Sequence, residues 1–115
     1  MKIVTTVLAG LALATAAFAG PDDDIMARQA LMKQVGASGK AGDLAALADA
    51  AEQALVAFKI DTTGQGSVDT KAKDNIWTDM AGFEALMNDM ITAARAGDNG
   101  ATFAQCKACH STYRN

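Results

Sequence analysis

After Pro21 the chain runs to Asn115 without another proline. Proline is the residue that most strongly breaks a helix, so no position in this stretch forbids one. The spacing of apolar residues then says that helix fills it. Asp22, Asp23 and Asp24 bring caps and negative charge to the start of a first helix. That helix is expected to reach about Val35, with Gly36 as its stop. Asp43 can cap a second helix, in which Leu44, Leu47, Ala48, Ala51, Leu55 and Phe58 recur on one face. DTTGQGSVDTK, Asp61 to Lys71, reads as a polar, glycine-containing loop. A third helix follows with Ile76, Met80, Phe83, Met87, Met90 and Ala94 on one stripe, ending near Gly97. Thr102 and Gln105 have the spacing of a capping box for a fourth. No segment alternates with period two over a useful length. Four amphipathic helices with mostly short connections predict an all-α fold, an antiparallel four-helix bundle.

The N-terminus predicts the compartment. Lys2 is followed by an uncharged apolar run from Ile3 to Phe18, and Ala17-Phe18-Ala19 is a small-x-small cleavage pattern. This is the layout of a secretory signal peptide, 1–19, and the run is shorter than the roughly 20 residues of a spanning helix. The expected domains are therefore the removed peptide 1–19 and a single domain 20–115, exported to the periplasm with no membrane insertion after cleavage. Without Lys2 the chain holds nine Lys and Arg against thirteen Asp and Glu, a net charge of −4. That balance argues against nucleic acid and suits a partner protein with a basic docking face.

Both cysteines and the only histidine lie within five positions, in Cys106-Lys107-Ala108-Cys109-His110. A redox disulfide motif normally follows a strand, and none is expected here. A zinc site needs about four ligands, and no further Cys or His exists. A disulfide between cysteines three apart on a helix is geometrically poor. Covalent haem attachment accounts for all three residues: two thiols for the two vinyl groups and an adjacent imidazole, His110, for the iron. A second imidazole cannot come from this chain. The other axial position is left to methionine, a weak donor, an external ligand, or nothing.

CKACHSTYR on the last helix of such a bundle, with ARQALMKQVG near the mature N-terminus and IWTDMAGFEALMNDM in mid-chain, resembles the class II c-type cytochromes, which comprise cytochrome c′ and its low-spin relatives. The resemblance implies one covalent haem c held by Cys106, Cys109 and His110. It places Met32 at the distal position, and the Leu31-Met32-Lys33 context is similar to the low-spin branch in which that methionine binds iron. It places Arg28 near the haem from the first helix, Tyr113 and Arg114 beside the proximal face, and Ile76 and Trp77 in packing. Met26, on another face of the first helix, is the rival donor. Met80, Met87 and Met90 are expected in the core. The short stretch between Gly97 and Cys106 departs from the family by shortening the fourth helix.

The expected function is one-electron carriage through a His110/Met32-ligated haem, the partner being a redox protein and the assembly a monomer or homodimer. The alternative is binding of nitric oxide or carbon monoxide at an open distal site. A third reading is an accessory subunit with a structural haem. No Ser/His/Asp set, carboxylate pair or phosphate loop points to an enzyme.

Overall fold

The computed structural model describes residues 20–115. The expected signal peptide, 1–19, lies outside the described residues. Five helical segments follow one another: α1 Pro21–Ala41, α2 Leu44–Ala57, the single turn α3 Asn75–Thr78, α4 Met80–Arg95 and α5 Asn99–Tyr113. They form the expected all-α bundle. The only β feature among the described residues is one isolated bridge, Ala72 with Arg114.

The ends of the helices follow local chemistry, and some differ from expectation. Pro21 opens α1, three aspartates occupy its first turn and Lys40 its last. The helix does not stop at Gly36. It continues to Ala41 and ends where Gly42 takes φ 74°, a left-handed conformation that glycine adopts without a Cβ penalty. The Gly42 and Asp43 amides donate to the Gly39 and Ser38 carbonyls at 3.1 and 2.9 Å. Gly36 keeps helical geometry, because glycine tolerates a helix at a cost near 1 kcal/mol. Asp43 caps α2 as expected, accepting from the Ala46 amide at 3.1 Å.

The expected third helix breaks in two. Asp79 leaves helical geometry and accepts from the Gly82 amide, which restarts the chain as α4. The start of α5 is also corrected. Its cap is Asp98, accepting from Ala101 N at 3.0 Å, and not Thr102. Thr102 lies inside the helix, fully buried, with its hydroxyl returned to the Asp98 carbonyl at 2.6 Å. Burial there leaves that hydroxyl no other role than to satisfy itself on its own helix.

Helices α1 and α2 form one hairpin, α4 and α5 another, and α2 packs on α4. Ala48, Ala51 and Ala54 are wholly buried along α2, so small side chains let its neighbours approach closely. Phe83 joins the layers: its ring lies 5.0 Å from that of Phe58, and 5.5 Å from Tyr113 in an edge-on contact. Such pairs add about 0.5–1.5 kcal/mol each beyond area burial. Helices α1 and α5 are not among the closely packed pairs. The bundle is open along that seam.

Candidate functional site

The open seam is a cavity of about 500 Å³. Helix α5 supplies Phe103, Cys106, Cys109, His110 and Tyr113 to its lining, and α1 supplies Arg28, Met32, Lys33 and Val35. Phe58, Phe83, Met87 and Met90 lie deeper, and Thr70, Lys71 and Ala72 of the long loop close one side. Residues 28, 32 and 35 share a helix face by their three- and four-residue spacing, as do 106, 109, 110 and 113. Every residue singled out from the sequence as holding a cofactor lines this one cavity: Cys106, Cys109, His110, Met32, Arg28, Tyr113 and Arg114. Met26 does not. It is 49% exposed and turned away from the lining, so the rival donor is misplaced. Met87 and Met90 are core residues, as expected, and also form part of the cavity wall, which helical periodicity by itself does not reveal.

The two thiols are free and half-buried. Cys106 Sγ donates to Met90 Sδ at 3.2 Å. Burial raises the Cys106 thiol, and burial with the neighbouring Cys106 sulfur pushes Cys109 up to about 11. Both are therefore neutral thiols at neutral pH. His110 keeps much of its solvent exposure, yet desolvation of the ring, with the Arg114 charge adding to it, lowers its basicity. Its imidazole is therefore held in the neutral form that can offer a nitrogen lone pair.

Arg28 is the largest fully buried side chain, at 1% exposure. Desolvation lowers its pKa, against the pull of Asp24 and Asp61. Its guanidinium lies 5.0 Å from the Trp77 ring and 5.4 Å from Phe58. Nη1 donates to Thr62 Oγ1 at 2.9 Å and Nη2 to Thr70 Oγ1 at 3.4 Å. Nε is buried without a partner. Trp77 packs as expected and donates Nε1–H to the Phe58 carbonyl at 2.7 Å. Thr62 and Thr70 escaped sequence reasoning altogether. They sit in a polar loop with no periodicity, and only the fold brings them to a cation 34 and 42 residues away.

Tyr113 is buried at the end of α5, where its hydroxyl donates to Asp79 Oδ2 at 2.7 Å. The hydrogen bond to Asp79 and burial push that phenol up to about 12. Arg114 is exposed beyond it. The donor set and the space fit a haem. Two neutral thiols and one neutral imidazole face a single apolar cavity, and a buried guanidinium nitrogen on its lining lacks an acceptor.

Residues 37–114 match the family model described as Cytochrome C′, well over half of the chain. The chain belongs to the cytochrome c′ family. Its cofactor is accordingly one covalent haem c with its iron. A curated cytochrome c′ from Rhodopseudomonas palustris is 28% identical over 144 aligned positions, covering 99% of this chain and 97% of that protein. A reduced variant of cytochrome c′ from Alcaligenes xylosoxidans superposes with a TM-score of 0.66 at 23% identity, over 85% of this chain and 98% of its own. A ferrous variant of that protein with bound NO gives 0.65 at 24% identity, over 85% and 99%. These two likenesses are likenesses of fold.

Proposed function

We propose that this cytochrome c′-family protein is a periplasmic haem protein that binds a diatomic gas, nitric oxide or carbon monoxide, on the α1 side of the cavity. One observation carries the reading. Between the polar Arg28, Gln29 and Lys33, the α1 wall facing the haem-attachment helix offers the apolar Met32 and Val35, and no second imidazole. The Arg28 amino groups are turned toward Thr62 and Thr70. The NO-bound relative of the same fold supports the reading by analogy.

Cys106 and Cys109 would hold the haem through thioether bonds, with His110 as the iron ligand on the α5 side. A haem held there supplies one-electron chemistry and the affinity for diatomic gases. The chain supplies the rest. His110 presents a neutral nitrogen. Met32 sets the size and polarity of the space on the opposite wall. Phe58, Phe83, Met87 and Met90 exclude water from the floor. The free Arg28 Nε is suited to a carboxylate of the haem.

A second reading, electron carriage in the low-spin branch, is favoured by Met32 itself: it is the sole sulfur donor that α1 brings to the cavity. A thioether on iron would favour the reduced form and keep gases out. The optical spectrum of purified protein, oxidised and reduced, with and without carbon monoxide, separates the two. Ready carbon monoxide uptake and a high-spin spectrum are expected. A low-spin reduced spectrum that ignores carbon monoxide would replace gas binding with electron carriage.

A further inference from the structure

The chain is acidic overall, with a net charge of −3, yet every charged side chain that lines the cavity is a cation or the neutral His110: Arg28, Lys33, Lys71 and Arg114, with no Asp or Glu among them. Lys33, Lys71 and Arg114 are exposed. Among the described residues the ion pairs are Lys59 with Glu84 and Arg95 with Asp49 and Glu52, so these three rim cations have no acidic partner. The backbone holds two of them side by side. Ala72 and Arg114 form the isolated bridge, Lys73 N donates to the Tyr113 carbonyl at 2.9 Å, and Asn115 N donates to the Lys71 carbonyl at 2.7 Å. Phe103, 45% exposed, gives the same rim an aromatic side chain. Exposed, unpaired cations and an aromatic on one cavity lining have the composition of a docking surface.

We infer that the cavity rim is a docking surface for a partner protein that presents an acidic face. Whole-chain charge suggests a basic partner; the local sign at the mouth is the opposite. The two carboxylates of a bound haem, one of them suited to the buried Arg28, do not outnumber the three exposed lining cations. The inference rests on haem occupying this cavity, but on neither the gas-binding nor the electron-carrying reading.

The test uses the haem-loaded protein, loading being checked by its absorption spectrum. Reduced protein is mixed with ferricyanide in a stopped-flow instrument; one electron passes to the reagent, which leaves as ferrocyanide. Between low and physiological ionic strength the Debye length falls from about 30 to about 8 Å. If the rim field governs approach, the rate falls severalfold with salt although both reactants are net anions. Poly-L-glutamate at low salt should slow the reaction by covering the rim, and poly-L-lysine should not. Lys33→Glu and Lys71→Glu should abolish or reverse the salt slope. Lys40→Glu, the same charge change off the cavity, should largely retain it. A rate that rises with salt in the unmodified protein overturns the inference, as does indifference to poly-L-glutamate or an equal response to Lys40→Glu. Failure to load haem would instead strike at the cofactor assignment, so the two failures are distinct.

Discussion

Tyr113, at the end of the haem-attachment helix, donates its phenol hydrogen to the carboxylate of Asp79, which caps the following helix α4 at Gly82. A Cβ on Gly82 would lie 2.6 Å from the same phenol oxygen. One carboxylate thus starts α4 and holds the end of α5. Tyr113→Phe should lower stability by about 1 kcal/mol, the usual net value of such a hydrogen bond. Gly82→Ala should destabilise more than Tyr113→Phe, despite a helix-propensity gain of about 1 kcal/mol. Denaturant midpoints of the three proteins check this; a stabilised Gly82→Ala would show that the triad has room to relax.

The long loop is held at its far side by Asp22, whose carboxylate accepts from Ser67 N at 2.6 Å, Val68 N at 3.0 Å and Ser67 Oγ at 2.9 Å. The backbone amides of Ser67 and Val68 and the Ser67 hydroxyl hold this carboxyl below the usual range. The ionised form therefore favours the fold. Its contribution is complete above about pH 4 and is lost as pH falls through the lowered value. Asp22→Asn should be less stable than the parent at pH 7, and the gap should close in acid. Equal gaps in denaturation curves at pH 7, 5 and 3 would count against this anchor.

Arg28 ties α1 to the loop and to two aromatic rings. Arg28→Lys should not rescue it, since an ammonium cannot reach Thr62 and Thr70 in a planar fork. We expect a loss on the order of 1–3 kcal/mol, the usual cost of leaving buried hydrogen-bonding partners unsatisfied. Limited proteolysis should then cut first between residues 61 and 74. Unchanged stability and cleavage would mean that the loop is held by Asp22 alone.

Met32→Ala should enlarge the space on the α1 wall. Under the gas-binding reading, carbon monoxide association accelerates and the high-spin spectrum of the parent persists. A change from low to high spin on this substitution would identify Met32 as an iron ligand in the parent.

Cys109→Ser should leave one thioether, so the haem should still resist acid–acetone, while the reduced absorption bands move to longer wavelength because one vinyl group stays conjugated to the ring. His110→Ala should reduce the yield of loaded protein, because the imidazole on the same helix orients the iron as the bonds form. Mass spectrometry of the parent should show one haem added; a haem-free parent from a host with c-type maturation machinery would refute covalent attachment.

The features legible along the chain are local. Pro21, the aspartates at 22–24, Asp43 and the apolar spacing of α2 and α4 act within a turn or two of their own positions, and so does the Cys106-to-His110 spacing. These were legible because helix caps, helix faces and haem attachment depend on residues close in the chain. Even locally, two competing signals misled: Gly36 resembles a stop and Thr102 a cap, and burial and backbone angle decided for Gly42 and Asp98. The cavity is a product of long-range packing. It arises because α1 and α5 stay apart while α2 and α4 pack, a matter of which faces meet. The same long-range packing brings Thr62 and Thr70 to Arg28, Asp22 to Ser67, and Lys71 beside Arg114. Charge behaves likewise. Composition gives the sign of the whole chain, but the sign at the mouth depends on which cations the fold gathers there and which it pairs elsewhere.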